Sequence, residues 1–466
     1  MYDHRNIDEM SAQTVWPRCP EAAAFLQDTF RAFALANPLV ATMADRMRRE
    51  AGVDLRTLID HWVLPDTEAL RAELTRCGFQ NRLTMDADPV WAHTSARLAR
   101  IRLSVDQVDP RIAIAVESIS DFWDAWDLPA AGSRGDAESG YEEAHCALPV
   151  GELAAVVRIG YNGFRPGELS ATYLRAIQSI RTKLRDRRTG LDSFESIDKT
   201  LRDLHTMLSG IVEEVGCDRA TDEFFVAERA FYTERNRAAT LQYRKQQELG
   251  IGWANQDHHT YRSSRAGFRG LLALWELLGF VPRERYYAGA EAGWGAQIME
   301  HPVSRVVIFS DLDIGPSEVA IDFSSTELSQ PDSNNSGLGT IGLWCALHGD
   351  SIAVAGMHHL ECEFDFSAAV VSLNDSDVAV MPPFTDMPVL KQAFTAGELW
   401  PVEVARVQAL AEQGFISAAQ AQQFVSQGAI GSHLEILQRW DGFKGFNKTG
   451  VSDIIRATDA RNAIRG

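Results

Sequence analysis

Three residues far apart in the chain, His258, His358 and Glu435, could together hold a metal ion. They lie in the segments DHHTYR, MHHLECEFDF and HLEILQR, which have strand-like patterns. Two imidazoles and one carboxylate on one side of a metal form the facial triad of non-haem Fe(II) oxygenases, which leaves open positions for oxygen and substrate. The residue types therefore predict a mononuclear Fe(II) site, although a single buried histidine is more often an ordinary core residue.

The choice of ligands is open at two positions. His359 is the neighbouring alternative to His358. His433 shares the face of Glu435 on a strand of period two, so it could support the site or compete as a ligand. The donor set also leaves manganese and cobalt open beside iron, because these metals prefer overlapping ligand types.

Arg262 and two phenylalanines are candidates for substrate binding. Arg262 follows His258 by four residues, and positions i and i+4 of a strand face the same side. Its guanidinium could hold a carboxylate by two parallel hydrogen bonds, or form a surface salt bridge. Phe443 and Phe446 could form an apolar lid over the site, or fill the core.

An internal similarity predicts how these residues are positioned. Residues 60–79 contain Asp-His, then a helix with paired leucines, then Gly-Phe, and residues 257–280 repeat this order. A strand, a helix and further strands form a βαβββ unit, used here more than once. The sequence therefore predicts an α+β fold of paired βαβββ modules.

The pattern of apolar and charged residues divides the chain into three regions. Residues 1–165 and 253–466 mix strand and helix signals, whereas 166–252 has apolar residues at helical spacing and many charges, which predicts a helical insert. Within these regions we predict strands at 56–63, 98–104, 111–117, 257–262, 304–309, 352–364 and 432–439. We predict helices at 70–77, 169–187, 194–215, 220–248 and 266–278. Loops are expected at 129–140 and 331–339.

Composition excludes several classes of function. Asp and Glu total 64 against 45 Lys and Arg, so the net charge of −19 disfavours binding to nucleic acid or to an anionic membrane. The chain has no long apolar run, its N-terminal stretch is polar, and its six cysteines are scattered, which predicts a cytoplasmic protein with reduced thiols. It also lacks a phosphate-binding GxxxxGK[ST] loop, a GxGxxG turn after a strand and a GxSxG elbow.

The C-terminal stretch 432–459, SHLEILQRWDGFKGFNKTGVSDIIRATD, resembles the end of 4-hydroxyphenylpyruvate dioxygenases. In that family the Glu of the terminal strand binds iron, which implies this role for Glu435. The family's other ligands are a His after Asp, matched by Asp257-His258, and a His opening the next module, matched by His358 with Asp365 seven residues later.

The segment 258–309 is similar to a second group, the 2-oxoadipate dioxygenase/decarboxylases. The shared features are His258 and Arg262, the helix 266–278, Tyr286-Tyr287 and the strand ending at Phe309. In that group the His binds the metal and the Arg holds a substrate carboxylate. Both groups belong to the vicinal oxygen chelate superfamily, whose paired βαβββ modules curl around a metal.

The resemblance covers mainly residues 253–460, and it implies a function. The chain is expected to be an Fe(II) dioxygenase that binds a 2-oxo acid, or a similar chelating acid, and O2, and that performs an oxidative decarboxylation. An extradiol-type ring-cleaving dioxygenase and a metal-free small-molecule binding protein are the alternatives. The resemblance also implies that the N-terminal module 1–165 is metal-free, with His61 and Glu117 in structural roles, and it leaves open whether the protein is a homo-oligomer.

Two departures bear on the substrate rather than on the metal. The terminal turn reads Gly445-Phe446-Asn447, where the 4-hydroxyphenylpyruvate dioxygenases have Gly-Phe-Gly, and a long helical segment separates the two mixed regions.

Overall fold

The computed structural model has two large sheets, each built from two βαβββ modules, so the predicted α+β fold class is confirmed. It describes residues 16–85, 88–129, 132–136, 141–157, 170–192, 195–288, 292–330, 337–447, 454 and 458–461. Two helices that the sequence analysis did not predict, α1 (Pro20–Ala36) and α2 (Pro38–Ala51), precede the first sheet.

The first sheet has eight strands in the order β2-β3-β4-β1-β5-β8-β7-β6. Strands β1 and β4 are parallel, as are β5 and β8, and the antiparallel pair β1–β5 joins the two modules. The elements of the first module are β1 (Ile59–Pro65), α3 (Glu68–Arg76), β2 (Gln80–Met85), β3 (Asp88–Ala92) and β4 (Arg100–Ser104); those of the second are β5 (Arg111–Val116), α4 (Ile119–Ala125), β6 (Gly132–Asp136), β7 (Tyr141–Ala147) and β8 (Glu152–Val157).

Four helices connect the two sheets: α5 (Ala171–Asp186), α6 (Ile197–Val215), α7 (Cys217–Arg235) and α8 (Arg237–Gln247). The sequence predicts one helix over 220–248, but the structure has two, because the chain is extended at Asn236. The side chain of Asn236 accepts a hydrogen bond from the backbone N–H of Ala239 and so begins a new helix. These helices lie within 166–252, and the domain boundaries at 165 and 252 stay predictions.

The second sheet repeats the plan of the first, in the order β10-β11-β12-β9-β13-β17-β15-β14, with β16 paired to β17. Its third module is β9 (Gln256–Arg262), α9 (Arg265–Leu277), β10 (Val281–Tyr287), β11 (Trp294–Glu300) and β12 (Val307–Asp313). After α10 (Thr340–His348), the fourth module is β13 (His359–Glu363), α11 (Phe366–Asn374), β14 (Thr385–Met387), β15 (Leu390–Phe394), β16 (Glu398–Trp400), α12 (Val404–Glu412), α13 (Ala418–Gln427) and β17 (Ala429–Arg439).

The repeat that the sequence predicts is visible in the structure as β1–α3 and β9–α9. Each helix starts where an N-cap side chain accepts a backbone N–H: Thr67 for α3, Ser264 for α9 and Asp365 for α11 of the fourth module. One hydrophobic core joins both sheets and the connecting helices, and its buried members include Trp62, Phe122, Phe224, Trp275 and Leu360.

Several local predictions are wrong. Residues 352–364 are not one strand, because Ser351–Ala355 form a single π-helical turn and β13 begins only at His359. The loop expected at 129–140 contains β6, and the strand expected at 56–63 starts with a 3-10 turn, Leu55–Leu58. Residues 331–336 of the other expected loop lie outside the described part of the chain. Among the described helices, none is both long and apolar enough to cross a membrane.

Candidate metal centre

Three neighbouring strands, β9, β13 and β17, bring candidate ligands to one face of the second sheet. Glu361 of β13 lies opposite His258 of β9 and opposite Glu435 of β17. His359 lies two residues before Glu361, on the same face. The register of the three strands therefore places His258, His359 and Glu435 together, although they are far apart in the sequence.

The side chains of these three residues converge on one point. The Nε2 atom of His359 is 3.1 Å from Oε2 of Glu435, and the Nε2 atom of His258 is 3.9 Å from the same oxygen. One ligand atom from each residue lies within 4.8 Å of the others, and all three residues are buried. Adjacent ligands of an ion with bonds of about 2.1 Å would be about 3 Å apart, so the three donors are spaced as metal ligands.

The structure brings His359, rather than His358, into this group. His358 precedes β13, where Gly356, at a positive φ of 82°, carries the chain out of the π-helical turn. The ring of His358 therefore lies outside the group, with its centroid 5.6 Å from that of the Trp344 ring. The alternative ligand of the sequence analysis takes the position that the family resemblance gave to His358.

Polar neighbours contact both imidazoles. The Nδ1 atom of His258 is 2.6 Å from Oε1 of Glu361, which has no hydrogen-bond partner among the described residues. His359 and His358 share a contact of 3.0 Å between their Nδ1 atoms, and Nε2 of His359 lies 2.8 Å from the hydroxyl oxygen of Thr260. When Nδ1–H of His359 donates to His358, the Nε2 lone pair of His359 accepts from Thr260, and a metal ion would take the place of that hydrogen bond.

Two buried carboxyl groups, those of Glu361 and Glu435, meet at this point. Gln392 donates its Nε2 hydrogens to Oε2 of Glu361, at 2.7 Å, and to Oε1 of Glu435, at 3.0 Å. Burial and the neighbouring Glu361 raise the pKa of Glu435 well above its usual range. Burial lowers the pKa of His359, which is therefore neutral. The neutral imidazole of His359 and the two neighbouring carboxyl groups fit a divalent cation, which would compensate the buried charge.

Arg262 is buried on the same face of β9 as His258. It is 1% exposed, and its Nε and Nη2 atoms have no hydrogen-bond partner among the described residues. Asp311, which lies opposite Arg262 on β12, has an unpartnered Oδ1 atom. Burial lowers the pKa of Arg262 to about 10 and raises that of Asp311 to about 7. The face thus carries a guanidinium free to bind an acid and a carboxyl group that can hold a proton near neutral pH.

The two phenylalanines that the sequence analysis proposed as a lid lie in different places. Phe446 packs edge-on against Phe309, with ring centroids 5.2 Å apart, and the Phe309 ring lies 4.3 Å from that of His258. Phe443 instead packs against a small cluster that includes Leu390 and Leu437. Only Phe446 of the pair is therefore connected to the group of ligands.

His433, the other alternative ligand, is buried close to the group but outside it. The Nδ1–H of His433 donates to the backbone oxygen of Thr395 at 2.9 Å, and its ring stacks on Phe394. It supports the strand pairing beside Glu435.

A layer of ion pairs lies behind His258. Asp257 forms ion pairs with Arg97, from the first half of the chain, and with Arg439. Burial alone would raise the pKa of Asp257, but the two guanidiniums lower it well below its usual range. Arg97 lies between β3 and β4, and its side chain reaches the second sheet.

Two other groups of potential ligands fit a metal less well. Asp257, His258 and Glu361 cluster too, but Asp257 is already neutralised by its guanidiniums. In the group of Cys217, Asp218 and His301, the backbone N–H of Ser304 donates to Nδ1 of His301. The proton of that imidazole is therefore on Nε2, which faces the group and offers no lone pair.

The two residues of the N-terminal half that were expected to be structural, His61 and Glu117, have protein partners. His61 contacts Asp60, with Nδ1 and Oδ2 3.0 Å apart. Glu117 accepts a hydrogen bond from the hydroxyl of Tyr243 at 3.2 Å. The metal-free state of this half stays a prediction.

Sequence reasoning missed Glu361, Gln392 and Asp311. A signal existed for two of them, because period two places Glu361 on the face of His359, and Asp311 on the face of Phe309. Gln392 had no such signal, since only the pairing of β15 with β17 brings it near Glu435.

Comparison with known proteins returned similar structures but no family. No family model and no curated protein matches the chain. The solved structures that it resembles include a methylmalonyl-CoA epimerase from Mycobacterium tuberculosis, with 11% identity, 40% of this chain and 89% of that chain covered and a TM-score of 0.23. A mutant of 4-hydroxymandelate synthase from Streptomyces coelicolor matches with 12% identity, 88% and 99% coverage and a TM-score of 0.28.

A third match is a xylose isomerase-like TIM barrel/4-hydroxyphenylpyruvate dioxygenase fusion protein, with 10% identity, 90% of this chain and 54% of that chain covered and a TM-score of 0.24. Every one of these TM-scores is below 0.5, so the residues of the site itself carry the proposal that follows.

Proposed function

We propose that the chain is a mononuclear Fe(II) dioxygenase that decarboxylates a 2-oxo acid, or a similar chelating acid, with consumption of O2. The observation that carries the proposal is the convergence of His258, His359 and Glu435 on a face that also holds the unpartnered guanidinium of Arg262. Two imidazoles and one carboxylate leave about half of an octahedral ion open, which suits a bidentate acid and O2.

Each residue of the face has a role in this proposal. His258, His359 and Glu435 would hold the ion, and Glu361 would fix the orientation of His258. Arg262 would bind a carboxylate of the substrate, because two of its nitrogens have no other hydrogen-bond partner among the described residues. Bound Fe(II) would supply the activation of O2 and the polarisation of the 2-oxo group.

Two further groups would control water and protons. Phe309 and Phe446 present aromatic surface beside His258 and would keep water from the reacting acid. The carboxyl group of Asp311, with a pKa raised by burial to about 7, can hold a proton at Oδ1 or Oδ2 next to a substrate bound by Arg262.

Metal binding and turnover test the proposal in one series. The full chain is loaded anaerobically with Fe(II), freed of excess metal and assayed for iron, then for O2 uptake and CO2 release with a panel of 2-oxo acids. We expect one Fe(II) per chain and equal amounts of O2 consumed and CO2 released. His359→Ala and Glu435→Ala should lose the bound iron.

His433→Gln is the matched control, because it changes a buried histidine of the same strand that lies outside the group. It should retain about one Fe(II) per chain. Retention of iron by His359→Ala together with its loss from His358→Ala would return the ligand role to His358. A protein that binds small molecules but no metal, or one that consumes O2 with catechols and not with 2-oxo acids, would contradict the proposed reaction.

A further inference from the structure

A cavity apart from the candidate metal centre lies between the two halves of the chain. Its volume is about 700 Å3, and it separates α1 and β1 from one end of the second sheet. Small-molecule sites commonly have volumes of roughly 300–1,000 Å3. His258, His359 and Glu435 are not among the described residues that line it, so this cavity is distinct from the candidate metal centre.

Both walls of the cavity mix apolar and charged side chains. The wall from the first half of the chain includes Leu26 of α1 and Ile59 of β1 beside Asp54, Arg56, Asp60 and Arg97. The opposite wall includes Val307, Phe364 and Trp440 beside Arg283, Glu300, Arg305 and Lys444. A ligand that fills this space would touch both apolar surface and charged groups.

Arg305 is the lining cation that has no ion-pair partner in the described part of the chain. The other lining cations do: Arg56 with Asp54, Arg97 and Arg439 with Asp257, Arg283 with Glu284, and Lys444 with Glu300. Arg305 is exposed, so its guanidinium lines an open part of the cavity, where Arg100 repels it and Asp60 attracts it.

The backbone of Arg305 is also held in an unfavourable conformation. It has a φ of 59°, in the left-handed region, which glycine and asparagine adopt more readily than arginine does. The residue closes the turn between β11 and β12, in which the N–H of Arg305 donates to the oxygen of His301. An arginine at such a position suggests that its side chain, rather than its backbone, is what the site needs.

We propose that this cavity binds a small organic anion with an apolar body, whose acid group pairs with Arg305. The apolar side chains of the lining would cover the body of the ligand, and the flanking cations Arg283 and Lys444 would add attraction for its charge. In a chain with a net charge of −19, a cation that lines a cavity and has no ion-pair partner among the described residues is a local attraction for an acid. This site does not depend on the proposed dioxygenase activity.

Decanoate is a suitable probe, measured by isothermal titration calorimetry with the full chain. We expect one decanoate per chain, and binding weaker by about tenfold or more in Arg305→Asn, which removes the charge but tolerates the backbone conformation. Ala24→Trp, on the lining face of α1, should fill the space and abolish binding. Arg202→Asn, at an exposed position of α6, is the control and should bind as the unchanged chain does.

Three comparisons can overturn the proposal. Decan-1-ol must bind at least tenfold more weakly than decanoate, because equal affinity would show that no acid group is recognised. Arg262→Gln and Glu435→Ala must leave decanoate binding unchanged, since a loss there would place the ligand at the candidate metal centre. Failure of the unchanged chain to bind decanoate at millimolar concentration would also refute it. If Arg305→Asn does not fold, Lys444→Gln tests the same wall and should weaken binding.

Discussion

At the scale of single residues, polar neighbours decide which atoms could bind a metal. Oε1 of Glu361 lies 2.6 Å from Nδ1 of His258, and His358 is positioned to accept the proton of His359. Neighbours of this kind orient a metal-binding imidazole, and their loss commonly lowers metal affinity by about 10–100-fold. His358, expected from the family resemblance to be a ligand, has this supporting position in the structure.

The unpartnered guanidinium gives a prediction at the same scale. Replacing Arg262 by Gln should lower kcat/KM for an acid substrate by roughly 10–100-fold, because a charge-assisted pair of hydrogen bonds contributes about 1.5–3 kcal/mol. The measurement is O2 uptake at a series of substrate concentrations, with the iron content of each preparation determined in parallel.

The iron content separates binding of substrate from binding of metal. Arg262→Gln should retain about one Fe(II) per chain, because Arg262 is not part of the ligand group. A variant with full activity would remove Arg262 from the substrate site, and one that loses its iron would show that the residue acts through the metal centre.

At the scale of elements, the connecting helices do more than cover the second sheet. Arg187 and Arg188, which follow α5, donate to the backbone oxygens of Ile352 and Ala353 in the π-helical turn before β13. Asn236, between α7 and α8, donates to Ser432 of β17 at 2.8 Å. The helices therefore fix the strands that carry His359 and Glu435.

Glu228 of α7 is the centre of this contact. It pairs with Arg187 at 2.6 Å and with Arg188 at 2.7 Å, and it accepts a hydrogen bond from the Tyr261 hydroxyl of β9 at 3.1 Å. Burial alone would raise the pKa of Glu228, but the two guanidiniums lower it to about 2. Its carboxylate is ionised and paired in the folded protein.

We expect Glu228→Gln to lower the free energy of unfolding at pH 7 by about 3–5 kcal/mol, because two buried cations lose their partner. Since the pKa is lowered on folding, the carboxylate stabilises the fold fully above its unfolded value near 4.5, and this stabilisation is lost as pH falls towards 2. Urea unfolding at several pH values should therefore show a gap between the two proteins that narrows below about pH 4.5.

Glu213→Gln, at an exposed position of α6, is the control for this prediction and should change stability by less than about 0.5 kcal/mol. A gap that stayed constant down to pH 3, or that widened on acidification, would show that Glu228 is not paired in the folded protein.

At the scale of the whole molecule, the two halves meet through charges as well as through the common core. Arg97, from the first half, pairs with Asp257 and with Glu363, in the latter case at 3.3 Å. Ala96 and Phe443 form an isolated antiparallel bridge beside it. The layer that supports His258 is thus completed by a residue of the other half.

Removal of Arg97 tests this arrangement. Arg97→Gln should destabilise the chain by about 1.5–3 kcal/mol, because buried Asp257 then loses one of the two guanidiniums that pair with it in the described structure. Thermal unfolding followed by circular dichroism measures the change. Arg82→Gln, at an exposed position of the first sheet, provides a comparison; an equal effect of the two substitutions would mean that the Asp257 contact contributes nothing.

The sequence alone determined the repeated βαβββ plan, the central strand segments and the residue types of the site. Period-two alternation and the repeated order of strand, helix and Gly-Phe are local features that a chain carries wherever it folds. His258 and Glu435 lie in segments whose alternation is clear, and both occur in the group of ligands that the structure forms.

Only the tertiary structure placed His359, rather than His358, beside His258 and Glu435, and it revealed Glu361, Gln392 and Asp311 around this group. A shift of one residue in the start of β13 moves a side chain to the other face of a strand, and that start depends on the π-helical turn held by distant arginines. Pairings between strands far apart in sequence, and the placement of Arg305 on a cavity between two halves of the chain, arise from packing that no local pattern records.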